Sequence, residues 1–219
     1  MKVSMYVADY IVIETKKGDF HEAQEWKLIN GRPKYKREIP RKSFSTDFTL
    51  ITIKLNREFH QRITAEFIRE TLQKFYPTLL AGAKVPNRHG EKRRLKVFLN
   101  SQPVIPPPKV KYEKKRPLKV KVNGEEATGY VYLAKEEVDQ DKRGIWIIVH
   151  GRKITNEFFG VHGNMDNRIT GYLNADFLID DIAGDKTQIR KGRGRWRKLS
   201  EGIAKQLGKF MREIGAIQR

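Results

Sequence analysis

The 219-residue sequence predicts an α+β fold, with mixed, mainly antiparallel sheets and helices packed on one face. Three observations carry that expectation. Apolar and β-branched residues alternate or run together in several segments short enough to be strands. In two stretches, around residues 64–79 and 196–214, the apolar period lengthens to three and four, as a helix requires. The order of the patterns is strands, a helix, more strands and a last helix, not the regular alternation of a parallel α/β sheet.

Each element has its own reason. "YVADYIVIETK" (6–16) is apolar and β-branched, and "EWKLI" (25–29) can pair with it across the "KKGDF" turn. Residues 31–45 are basic and contain prolines, which predicts a loop. "FTLITIKL" (48–55) reads as a strand. In "ITAEFIRETLQKFYPTLL" the residues Phe67, Ile68, Leu72, Phe75, Tyr76 and Leu79 share a helical face, with Thr64 as N-cap. Pro77 fits a helix interior poorly. "RRLKVFLN" (93–100) and "LKVKVN" (118–123) read as strands, and Asn123-Gly124 signals a hairpin into "ATGYVYLAK" (127–135). "PVIPPPKVKYEKKRP" between them is expected to be extended and exposed. "GIWIIVHGRKI" (144–154) begins as a central strand, and "RITGYLNADFLID" (168–180) is read as another. Trp196, Leu199, Ile203, Leu207, Phe210 and Ile214 form the apolar stripe of a final helix.

Composition bounds the function. Hydrophobic content is 38% and charged content 32%. No run of eighteen apolar residues or secretory leader is evident, and cysteine is absent, which excludes disulfides and Cys-ligated metal. A soluble, cytoplasmic protein with no membrane partner is expected. The net charge of +19 is concentrated in four runs, at 27–42, 84–96, 109–121 and 190–198, which hold 26 of the 45 basic residues and three acids. The rest of the chain is close to neutral. Clustered positive charge attracts polyanions such as nucleic acid or nucleotide; basic loops that only keep the chain in solution are the other reading.

No catalytic constellation is complete. The histidines (21, 60, 89, 150 and 162) lack metal-ligand spacing, and no metal site is assigned. Asp180 and Asp181, near Asp176 and Asp185, are read as strand-end and turn residues. Lys186, in the Gly184-Asp185 turn, is either an exposed loop lysine or a fixed phosphate contact. Trp196 lies between Arg195 and Arg197, which would suit base stacking, but the helical period puts it in the buried stripe.

The order of these motifs resembles the C-terminal half of the GHKL ATPases, the superfamily of gyrase B, MutL, MORC proteins and the ninety-kilodalton heat-shock chaperones, and is most similar to the MORC-like prokaryotic branch. "GIWIIVHGRKI" followed by "RITGYLNADFLIDDIAGDKTQIRKGRGRWRKL" resembles the transducer region of that branch. "FTLITIKLNREF" is similar to the last strand of the ATP-binding domain passing into the transducer, and "SMYVADYIVIETKKGD" to the passage after the ATP lid. The resemblance implies a remnant of the ATP-binding domain at 1–58 and a transducer-like domain of ribosomal-protein βαβ type at 59–219. It implies that Lys186 reaches the γ-phosphate of ATP, with Gln188 as a polar partner and Thr49 near the adenine. The family has Gly-Thr where this chain has Phe48-Thr49.

The superfamily's catalytic Glu, its Mg²⁺-binding Asn and its Asp-x-Gly-x-Gly segment have no counterpart here, so no catalytic residue is assigned. ATP and Mg²⁺ are expected only together with an ATP-binding half, on the same or a separate chain, and a homodimer of the complete protein fits the family. DNA is the expected partner of Arg190, Lys191, Arg193, Arg195, Arg197 and Lys198. The competing reading is a stand-alone basic nucleic-acid-binding protein with no nucleotide role.

Overall fold

The computed structural model describes residues 7–40, 46–82, 84–86, 92–94, 96–183, 188–192 and 194–217. They fall into two compact units, residues 1–68 and 69–219. Sheets dominate both, and the α+β class is the observed one.

The first unit is built on β1 (Ala8–Lys17), β2 (Phe20–Ile29), β3 (Arg32–Glu38) and β4 (Phe48–Leu55), in the order β3-β2-β1-β4 with every pair antiparallel. β3 corrects the expected loop at 31–45. Asn30 and Gly31 both take positive φ, 52° and 71°, the geometry of a two-residue hairpin turn, and this folds the basic segment back onto β2. Register puts Ile11, Ile13, Trp26, Tyr35, Ile51 and Ile53 on one face and Glu14, Ala23, Glu25 and Lys36 on the other. Helix α1 (Arg57–His60) follows, its N-terminus capped by the Asn56 side chain, which accepts from the Phe59 N–H at 3.2 Å.

Helix α2 (Ala65–Phe75) starts as expected, with the Thr64 hydroxyl oxygen accepting from the Phe67 N–H at 3.1 Å. It stops before Pro77, which instead opens the short helix α3 (Pro77–Leu80). Two small hairpins follow, β5 (Lys84–Pro86) with β6 (Lys92–Arg94) and β7 (Phe98–Leu99) with β8 (Gln102–Pro103). The single strand expected over 93–100 is therefore two pieces. Val104, in the stretch expected to be unpacked, is buried, and Tyr112–Pro117 belongs to a strand.

The main sheet of the second unit comprises β9 (Tyr112–Val122), β10 (Glu125–Ala134), β11 (Gly144–Val149), β12 (Arg152–Glu157) and β13 (Ile169–Asn174), ordered β12-β11-β13-β10-β9. The Asn123-Gly124 hairpin forms, with φ of 51° and 88°. β11 and β13 are parallel and the other pairs antiparallel. β12 and residues 158–168 connect that parallel pair. β13 ends at Asn174, and residues Asp176–Asp181 form a 3₁₀ turn in place of the strand expected to run on to 180.

Helix α4 (Gly194–Glu213) covers one face of this sheet. Its stripe of Trp196, Leu199, Ile203, Leu207 and Phe210 is buried against Leu118, Val120, Val131, Ile147 and Leu173. Each such side chain contributes about 1.5–3 kcal/mol of burial. Close approach has a specific cause: a Cβ at Gly202 would lie 2.5 Å from a Val120 methyl. Gln206 seals the sheet edge, accepting from the Lys119 N–H at 3.1 Å and donating to the Lys119 carbonyl at 2.7 Å. Among the described residues no helix is long and apolar enough to cross a membrane.

Candidate functional site

The segment between β13 and α4 contains the charged group that the sequence singled out. Both of its ends are clamped. The Arg190 N–H donates to the Asp181 carbonyl at 2.8 Å, Ile182 and Ile189 form an antiparallel bridge, and the Ala183 N–H donates to the Gln188 carbonyl at 2.8 Å. Beneath the bridge the Asp181 side chain is fully buried, 3.1 Å from Arg195 Nε. The Arg195 guanidinium also donates to the Phe177 carbonyl at 3.1 Å. A buried carboxylate is tolerable only with such a partner, so this pair fastens the segment to the first turn of α4.

Lys186, together with Gly184, Asp185 and Thr187, lies outside the described residues, as does Arg193. Gln188 is exposed, its carbonyl closing the clamp. Thr49 sits in β4 of the other unit, opposite Thr15, whose hydroxyl donates to the Thr49 hydroxyl oxygen at 3.3 Å.

The basic residues after the clamp divide by task. Trp196 is buried in the stripe, as its period implied, and Arg195 serves Asp181. Arg190, Lys191, Arg197 and Lys198 are exposed. Lys191 meets Glu157 at 2.5 Å, Arg197 meets Glu201 at 3.4 Å, and Lys198 donates to the Asn123 side chain at 2.8 Å. A concavity of about 540 Å³ is lined by Lys191, Gly192, Gly194, Trp196, Arg197 and Ser200. Exposed ion pairs of this kind are worth about 0–1 kcal/mol, so Lys191 and Arg197 can exchange their carboxylates for a phosphate at little cost.

A second concentration of chemistry lies on the sheet face opposite α4 and escaped the sequence reading. Tyr130 of β10 and Tyr172 of β13 are direct cross-strand partners, with ring centroids 6.1 Å apart. Tyr132 and Tyr112 extend the cluster, and the Lys115 ammonium stands 3.7 Å from the Tyr130 ring centroid. Burial, and then the neighbouring Tyr172, push the Tyr132 phenol well above its ordinary range. The signal was present in "TGYVYL" (128–133), where alternate positions are tyrosines while their neighbours are apolar. Further along, Lys153 of β12 lies 4.7 Å from the Trp146 ring centroid, and burial brings its ammonium down to about 8. Asp141 opposes that shift; its own carboxyl is held low chiefly by a 2.8 Å contact with Lys74.

No protein-family model matches the chain, and no curated protein matches it.

Proposed function

We propose that the chain is the coupling half of a nucleotide-driven switch. In this reading Lys186 meets the terminal phosphate of ATP held by an ATP-binding half, and the nucleotide state is passed to a DNA-binding basic surface at Arg190, Lys191, Arg197 and Lys198. The observation that supports it best is the clamp. Two backbone hydrogen bonds and the buried Asp181–Arg195 contact fix the described residues on either side of Lys186 in the sequence, 181–183 and 188–190. A cation presented from fixed ends needs little reorganisation as phosphate charge develops, which is where electrostatic catalysis gains most.

Gln188, at the edge of the clamp, and Thr49 would be further nucleotide contacts. Mg²⁺ and the activation of water are assigned to the other half, which in the resembled superfamily contributes the Glu and Asn. When bound, ATP would supply the terminal phosphate that Lys186 reads, and in this reading the ATP-bound state is the one coupled to closure of a dimer.

The test joins the chain to its ATP-binding half and compares Lys186→Ala with Lys191→Ala. Loss of one preorganised cation is expected to lower turnover by about 10²–10³ in the first variant. Lys191→Ala should keep its turnover and weaken duplex DNA binding. Equal turnover in the two variants would remove Lys186 from the mechanism.

A nucleic-acid-binding role without a nucleotide is the second reading. It is favoured by the concavity between Lys191 and Arg197, whose present partners are surface carboxylates. It predicts ATP-independent duplex affinity that falls steeply as salt rises, through counterion release.

A further inference from the structure

We propose that the face of the main sheet opposite α4 binds single-stranded nucleic acid, stacking bases on Tyr112, Tyr130, Tyr132 and Tyr172 and drawing the phosphates to the lysines of β9. Along β10 the residues Ala127, Gly129, Val131 and Leu133 face the core under α4. The alternate positions, which on a water-facing sheet are ordinarily polar, carry Thr128, Tyr130 and Tyr132. Tyr172 stands opposite Tyr130 on β13. The four rings form one patch, with adjacent centroids 5.2 to 6.4 Å apart. Tyr112 is 45% exposed and the other three are half-buried.

Glycines hold the strands beneath the patch close together. A Cβ at Gly129 would fall 1.9 Å from the Tyr172 carbonyl oxygen, and one at Gly171 would fall 2.5 Å from that of Tyr130. The Tyr130–Tyr172 pair is thus held by two tight backbone approaches rather than by mobile loops.

Charge identifies the occupant. Residues 109–121 carry seven basic side chains and one acid. Lys114 and Arg116 turn toward α4 and meet Glu213 at 3.2 and 2.6 Å. Lys115, Lys119 and Lys121 alternate with them and are exposed on the tyrosine side. Glu126 meets Lys119 at 2.9 Å, and Glu113 is taken by Arg168 at 2.5 Å, which leaves a positive surplus beside the rings. Flat π surfaces edged with ammonium groups suit a polyanion whose bases are unpaired and can lie on a ring. Bases within a duplex are already stacked and paired, so a ring on an open sheet cannot reach their faces.

The full-length chain is titrated against a labelled oligo(dT) of about twelve nucleotides and against a duplex of equal length, following fluorescence anisotropy. Tyr130→Leu and Tyr172→Leu keep apolar volume in the patch and remove the π face. Each is expected to weaken oligo(dT) binding about 5- to 100-fold while leaving the salt slope and the duplex affinity unchanged. Tyr172→Phe retains the ring and should bind as wild type. Lys115→Ala should lower the logarithmic salt slope by about one. Wild-type oligo(dT) affinity in both leucine variants would overturn the proposal. So would polyglutamate competing as well as oligo(dT), because charge alone would then account for binding. Failure here leaves the Lys186 reading standing, since that rests on ATP turnover and not on the tyrosine face.

Discussion

The four-stranded sheet of residues 1–68 and the five-stranded sheet of residues 69–219 have strands of similar length and alternation, yet they are held together differently. β1 and β2 each span ten residues and β9 and β10 span eleven and ten. In the first sheet Ile11 and Ala23 are the buried apolar side chains, while Ile51 and Ile53 stay 56% and 44% exposed. Its buried residues include Glu14 and Glu25, matched by His21 at 2.9 Å and by Lys27 at 2.9 Å. In the second sheet the inward residues of five strands meet a twenty-residue helix. Alternation makes a sheet, but a covering helix makes the core. The first unit's own helix α1 has four residues and no buried side chain.

The largest expected effect follows from that contrast. Leu207→Ala or Phe210→Ala opens a cavity where α4 meets the sheet and should destabilise the second unit by about 3–5 kcal/mol. Ile11→Ala, in the thin core of the first sheet, should cost about 2 kcal/mol, the low end for such truncations. Urea unfolding followed by tryptophan emission separates the two, using Trp26 for the first unit and Trp146 with Trp196 for the second. One shared transition, shifted equally by both variants, would show that the units do not differ in this way.

A smaller effect sharpens the account of the clamp. Arg195→Met leaves the buried Asp181 carboxylate without its guanidinium and should cost on the order of 3 kcal/mol. Combining it with Asp181→Leu removes the buried carboxylate as well, and most of the lost stability should return. Thermal melts of both variants check this. A double variant no more stable than Arg195→Met would mean that the ion pair is not what the loop depends on.

Most of the fold was legible in the sequence, and the exceptions have physical reasons. α4 showed in its stripe, β4 in its alternation and the β9–β10 hairpin in Asn123-Gly124. β3 was hidden because "RPKYKRE" is charged and every one of its side chains except Glu38 is exposed, so it carries no apolar period; the cue was Asn30-Gly31. The N-terminal half of β9 was hidden by its lysines, which the sheet tolerates because Lys114 and Arg116 reach Glu213 on α4. Asp181 read as a turn residue, yet it is buried, and among the described residues the return of the chain at Arg195 brings it a cation. Half of the tyrosine face was legible in the alternation of Tyr130 and Tyr132, but joining Tyr172 to them depends on the pairing of β10 with β13, some forty residues apart in sequence.

The smallest effect concerns one half-buried lysine of the second sheet, Lys153 of β12. Burial beside Trp146 lowers the Lys153 ammonium to about 8 from an ordinary 10.5, despite attraction from Asp141. Between those two values the unfolded chain holds the proton more tightly than the folded one. Stability must therefore rise with pH across that window, and below about 8 the folded protein carries the full penalty of a desolvated charge. Lys153 keeps some contact with water, so the penalty is set at about 1–2 kcal/mol rather than the larger value the full shift would imply. Lys153→Met should accordingly be the more stable protein at pH 7, by about that amount, and should converge with wild type near pH 10.5. Melting temperatures of the two proteins at matched pH decide it. A constant difference from pH 7 to pH 10.5 would mean that the methionine acts through packing, and that the buried charge is not what weakens this edge of the sheet.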